Sequence, residues 1–172
     1  MMIAVIYGST TGNTSDTATK LQQQIGDDKV ELFDVKDVGL DALEYFTHII
    51  FALPTWDYGE IQEDWKDVWD DIDDVDFSDK TVAFVGLGDQ YSYAEWFQDA
   101  MGMLHDKVAE RGASIIGHWP ASGYDFEGSK ALTADKEYFV GLALDDDCEP
   151  ELSEQRISDW CAIIEAEFAK AA

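Results

Sequence analysis

The chain of 172 residues has the size of one ordinary domain, and 46% hydrophobic residues give it enough apolar material for a core, which excludes a disordered chain. It carries 37 Asp and Glu against 11 Lys and Arg, a formal net charge of −26, and such a field repels nucleic acid and anionic membranes while favouring a basic protein partner. Cys148 and Cys161 form no CxxC pair, so neither a disulfide framework nor a thiolate metal site is indicated. The opening MMIAVIYGST has no secretory-leader pattern, and no apolar run approaches the roughly 18 residues of a membrane helix. One cytoplasmic domain spanning residues 1–172 is expected.

Short apolar runs alternate with stretches of helical period along the chain. Ile3–Tyr7 reads as a parallel strand buried on both faces, and Ala18, Leu21 and Ile25 stripe a helix that stops near Gly26. Val30–Val35 is the second expected strand and His48–Leu53, closed by Pro54, the third. Ile61, Trp65, Val68, Trp69 and Ile72 share one helical face. Thr81–Leu87 is a fourth strand, followed by a helix striped by Phe97, Ala100, Met101, Leu104 and Val108. Ser114–His118 begins a fifth strand, then a polar, aromatic stretch intervenes before the apolar run Tyr138–Leu144. Ser153 is placed to cap a last helix buried through Ile157, Trp160, Cys161, Ile164 and Phe168. This alternation predicts an α/β fold: an open, doubly wound parallel sheet with helices on both faces and right-handed crossovers.

The first chemical signal follows strand one. Gly8-Ser9-Thr10-Thr11-Gly12-Asn13-Thr14 sets four hydroxyls and an amide between a buried strand and a helix start, with no Lys or Arg before Lys20. Free N–H groups at a helix N-terminus bind anions, and hydroxyls add donors. Neither a Walker A pair nor GxGxxG spacing is present, so neutral donors point to a resident monophosphate. The plainer alternative is an ordinary helix start capped by Asn13 or Thr14.

Ligands of doubly wound sheets bind beyond the carboxyl ends of the strands, where strand order reverses. With the order 2-1-3-4-5, taken over from known folds, strands one, three and four are neighbours and their exit loops share a crevice. Strand three exits into Pro54-Thr55-Trp56-Asp57-Tyr58-Gly59-Glu60 and strand four into Gly86-Leu87-Gly88-Asp89-Gln90-Tyr91-Ser92-Tyr93. Aromatics on both loops would stack on a flat ring, which with a phosphate clamp describes a mononucleotide with a broad base.

The run Ser9–Thr14, the Pro54-Thr55-Trp56 and Gly59-Glu60 loop, Gly86–Tyr93 and Gly123–Leu144 resemble flavodoxins over essentially the whole chain, and the stretch interrupting strand five marks the long-chain class. Glu60–Trp65, Glu95–Phe97 and Met103–Lys107 are most similar to the second-type flavodoxins of enteric-type bacteria. The resemblance implies a flavodoxin-like five-stranded sheet of order 2-1-3-4-5 with its fifth strand interrupted by a long insertion. It also implies one non-covalent FMN, with phosphate on Ser9, Thr10, Thr11, Gly12, Asn13 and Thr14 and the ring between Trp56 and Tyr93. Around the ring it places Pro54, Thr55, Asp57, Tyr58 and Gly59 from one loop and Leu87, Gly88, Asp89, Trp96, Phe97 and Gln98 from the other. Spacing alone leaves Tyr91 as a competitor of Tyr93; the resemblance selects Tyr93. Trp96 stands where relatives often carry a smaller polar residue.

The resemblance implies a low-potential one-electron carrier shuttling between semiquinone and hydroquinone, and an electron-transfer protein rather than an enzyme. Eleven Asp or Glu lie from Asp57 to Asp79 against Lys66 alone. Most of these line a solvated face, yet charge gathering on a reduced ring meets their field. One carboxylate about 10 Å away at an effective dielectric of about 40 contributes roughly 0.8 kcal/mol, or about 35 mV. Several together lower the potential by on the order of 100 mV, and salt screens the exposed ones. The matching position assigns the Asp57 carbonyl to the proton on ring N5, and turning it inward is expected to push Tyr58 toward positive φ.

The implied partners are a basic NAD(P)H-dependent flavodoxin reductase and low-potential acceptor enzymes, met in transient complexes by a monomer. A receiver domain would need an acidic pair where Ser-Thr-Thr-Gly stands. An FMN-dependent NAD(P)H:quinone reductase is the stronger alternative, but Trp56 would crowd the face a nicotinamide needs. His48, His105 and His118 lack metal-ligand spacing, and residues 119–137 suggest no chemistry.

Overall fold

The structure, a computed structural model, describes residues 1–171. β1 (Ile3–Tyr7), β2 (Val30–Asp34), β3 (His48–Trp56) and β5 (Thr81–Leu87) form a parallel sheet in the order β2-β1-β3-β5. The fifth position is shared: β6 (Ser114–Ile115) pairs with Thr81–Val82 and β9 (Leu142–Leu144) with Val85–Leu87. The split fifth strand completes the 2-1-3-4-5 order of a flavodoxin-like sheet.

Alternating side chains of each strand face opposite layers. Ile3, Val5, Ile50, Ala52, Ala83 and Val85 pack under α1 (Asn13–Ile25) and α5 (Pro150–Ala171). Ala4, Ile6, Ile49, Phe51, Val82 and Phe84 pack under α3 (Glu63–Val68) and α4 (Asp99–Glu110), with Val35 of the one-turn α2 (Val35–Val38) at the edge. Because both faces are covered, the strands read as continuous apolar runs.

Several boundaries differ from the sequence expectation. Asp34 ends β2 by accepting the Lys36 N–H with its side chain, so Val35 opens α2 instead of closing the strand. Ile61 belongs to β4 (Glu60–Ile61), which folds back antiparallel on Thr55–Trp56, and α3 then runs only from Glu63 to Val68. The chain continues as a 3-10 turn over Asp71–Asp74, with Ile72 buried beneath it. Phe97 is buried but precedes α4, since Gln98 adopts a left-handed φ of 62°. Between β6 and β9 the insertion carries a ribbon of β7 (Trp119–Pro120) and β8 (Tyr138–Phe139). Gly141 separates β8 from β9 where a Cβ would collide with the Phe84 carbonyl. Ser153 is not a cap: α5 starts at Pro150, a favoured first helical residue, and Ser153 inside the first turn donates to Asp146.

Candidate cofactor-binding site

The carboxyl ends of β1, β3 and β5 open on one crevice of about 300 Å³. Ser9, Thr10, Thr11, Asn13 and Thr14 line one part of it, Pro54, Thr55, Trp56 and Asp57 a second, and Leu87, Gly88, Asp89 and Tyr93 a third. Three segments distant in the chain therefore meet at one cavity, as the position of the sheet's reversal requires. Asp146 and Asp147 complete the lining. Sequence reading missed this pair, although both follow β9, the second piece of strand five, and so leave the sheet at the same edge.

At the β1 exit, Gly12 stands at the N-cap of α1 with φ 96° and provides no side-chain cap. Neither Asn13 nor Thr14 caps it, which leaves first-turn N–H groups available to an anion. Gly12 is not among the lining residues; its N–H donates to Ser9 Oγ at 3.1 Å within the loop. Among the described residues no Lys or Arg lines the crevice. Neutral hydroxyls around an uncapped helix start are the donor set a phosphate monoester needs, so the residues present fit that end of a flavin mononucleotide.

Trp56 and Tyr93 come to the crevice from different loops. The turn between β3 and β4 holds Asp57 at φ 43° and Gly59 at φ 81°. Tyr58, where positive φ was anticipated, is not in that region here; it is 68% exposed and lies edge-on to Trp96 at 5.0 Å and Tyr93 at 6.2 Å. A Cβ on Gly59 would stand 2.8 Å from Asp99 Oδ2, so the turn rests directly on a buried carboxyl. Burial pushes that carboxyl up, against a hydrogen bond from the Lys130 N–H.

Other expected contacts lie off the crevice. Phe97 is buried against Tyr124 and Phe126, and Gln98 donates from beneath to the Leu144 carbonyl at 3.0 Å. Trp96, Gly59 and Tyr58 are not among the lining residues, and Tyr91 is 59% exposed and outside the lining too.

Asp89 holds its own loop. Burial works to raise its carboxyl, but hydrogen bonds from Ser92, Cys148 and Tyr91 outweigh this and keep it below the usual carboxylate range. Asp89, Asp145 and Cys148 bring ligand-type atoms within 4.8 Å of one another. Burial and the Asp89 contact push the Cys148 thiol up to about 12, so it donates a proton rather than offering a thiolate. Asp145 is engaged by the Gln90 and Cys148 backbone N–H groups.

Comparisons with known proteins identify the family and support the fold. The family model described as Flavodoxin matches residues 5–160. Flavodoxin 2 of Escherichia coli K12 is 46% identical over 170 residues, covering 99% of this chain and 98% of that protein. A flavodoxin of Picosynechococcus sp. is 48% identical over 167 residues, 96% and 97% of the two chains. In three dimensions the chain superimposes on the crystal structure of Fusobacterium nucleatum flavodoxin bound to flavin mononucleotide with a TM-score of 0.91 and 30% identity, covering 96% of this chain and 98% of that one. The chain thus belongs to the flavodoxin family, whose members are electron carriers rather than enzymes.

Proposed function

We propose that the crevice holds one non-covalent FMN and that the protein, a monomer of one domain working in the cytoplasm, carries single electrons at low potential. The observation that carries this reading is the meeting of a cation-free hydroxyl cradle with Trp56 and Tyr93 at one cavity. FMN supplies acceptance and release of electrons one at a time; the chain supplies grip, orientation and field. The loop from Ser9 to Thr14 holds the phosphate, with Gly12 bracing it through the N–H it gives to Ser9 Oγ. Trp56 and Tyr93 enclose the ring and exclude water from it. Thr55 is fixed for its place by accepting the Ala100 N–H at 2.9 Å. The Asp57 backbone carbonyl would accept a hydrogen bond from a protonated ring N5.

Asp57, Asp89, Asp146 and Asp147 line the crevice with negative charge, backed by the acidic surface from Glu60 to Asp79. Their field disfavours the last electron, which makes the reduced protein a strong donor cycling between its one- and two-electron reduced forms. The same field steers a basic NAD(P)H-dependent flavodoxin reductase as electron source and low-potential enzymes as recipients. No helix among the described residues is long and apolar enough to cross a membrane.

Photoreduction of the purified, FMN-loaded protein followed by absorption tests this function. The oxidised bands are expected to pass through a long-wavelength, one-electron species before bleaching. Direct bleaching in one two-electron step overturns the reading.

A further inference from the structure

We propose that Gln62 is a positioning residue of the phosphate end of the site: it fixes the Thr10 hydroxyl so that its proton is turned toward the phosphate. The inference rests on the FMN reading above.

Gln62 is 0% exposed, and its hydrogen bonds identify both ends of its amide. Oε1 lies 3.3 Å from the backbone N of Trp65, a group that can only donate. Nε2 lies 2.8 Å from Asp64 Oδ2, a carboxylate that accepts. The second Nε2 hydrogen is therefore directed to Thr10 Oγ1 at 3.0 Å. A hydroxyl has one proton, and Thr10 accepts from Gln62, so that proton remains for donation. Thr10 lines the crevice and is exposed to it. A phosphate dianion offers only acceptors, and a hydroxyl locked in the donating sense meets it without having to reorient.

The surroundings make this link stiff. A Cβ on Gly8 would stand 2.6 Å from Gln62 Oε1 and 2.7 Å from the Trp65 ring, so the strand exit presses directly on the Gln62–Trp65 pair. Trp65 Nε1 is buried there without a partner, which leaves Gln62 as the side chain of this pair that reaches the loop. The contact spans 52 residues of sequence and ties the hydroxyl loop to the segment just after Trp56.

The experiment is a titration of FMN and of riboflavin into folded apoprotein of the wild type and of Gln62→Met, Gln62→Glu, Thr10→Val and the Gln62→Met/Thr10→Val double variant. Gln62→Met is expected to weaken FMN by about tenfold, the scale of one hydrogen bond to a charged group, and to leave riboflavin unchanged. Gln62→Glu is expected to weaken it further, because a carboxylate draws the Thr10 proton to itself. Once Thr10→Val is present, Gln62→Met should add less than about twofold, since both act through one hydroxyl. Wild-type protein that prefers FMN to riboflavin, together with Gln62 variants that bind FMN as before, lose both ligands equally or add fully to Thr10→Val, overturns the proposal and leaves the FMN reading standing. Wild-type protein that does not discriminate the two ligands overturns both. A measurement independent of variant folding is the Thr10 hydroxyl proton in the NMR spectrum of the wild-type FMN complex. Coupling of that proton to the phosphate phosphorus supports the assignment, and its donation to Gln62 Oε1 overturns it.

Discussion

Replacing Tyr124 by phenylalanine keeps the ring and removes one oxygen that joins three parts of the molecule. The Tyr124 hydroxyl donates to the Ala143 carbonyl of β9 at 2.6 Å and accepts from Trp119 Nε1 of β7 at 2.9 Å. The Arg156 guanidinium from α5 lies 4.3 Å above the ring centroid, and Phe139 packs edge-on at 5.3 Å; both contacts survive in the variant. The loss is two hydrogen bonds, one to a carbonyl of buried Ala143 and one to a half-buried indole that water can serve. Together they are worth about 2 kcal/mol. For a chain of this size that lowers the apoprotein midpoint temperature by about 4–8 °C. Urea unfolding of apoprotein at pH 7 should show the lower stability with an unchanged m-value.

The pH dependence supplies a second arm. Burial pushes the Tyr124 phenol up to about 12, against the opposing pull of Arg156. The folded value is raised above the unfolded one near 10, so the favourable contribution is whole below pH 10 and is lost as pH climbs toward 12. The gap between wild type and Tyr124→Phe should therefore close over that interval. A difference below about 0.5 kcal/mol at pH 7, or a gap that persists at pH 12, would refute the view that this hydroxyl pins the insertion to the edge carrying Asp146 and Asp147.

Asp99→Asn should stabilise the apoprotein at pH 7. The folded carboxyl is raised, so its ionisation costs stability as pH rises above the ordinary carboxylate range; urea midpoints of variant and wild type should converge in acid. Gly59→Ala should cost at least about 1–2 kcal/mol, because φ 81° is a left-handed conformation and the new methyl meets Asp99; thermal unfolding that matches wild type would contradict the turn described. Asp147→Asn should raise the more negative flavin couple by about 30–40 mV at low ionic strength and by less in high salt, measured by potentiometry with mediator dyes.

The sheet was legible because β1, β3 and β5 are buried on both faces and read as unbroken apolar runs. Ile61 was misread because its spacing from Trp65 fits a helical stripe equally well, and only its pairing with Thr55 reveals the turn-back. Ser153 has the chemistry of a cap, but Pro150 already opens the helix. The three loops around the crevice could be named because topology alone brings their strand exits together. Asp146 and Asp147 escaped because a long insertion separates their strand from its own first half. Phe97 and Gln98 follow Tyr93 closely in sequence, yet the chain turns inward before α4 and buries both. Gln62 matched no motif: a lone glutamine gains meaning only from the Thr10 hydroxyl that folding places beside it.

The most direct test of the account is a titration of apoprotein with FMN followed by flavin fluorescence. One FMN per chain is expected, with its emission quenched between Trp56 and Tyr93 and with inorganic phosphate competing for the hydroxyl cradle. Flavin emission that stays unquenched through the titration, or quenching that phosphate leaves untouched, would contradict the claim that cradle and aromatic walls grip one ligand.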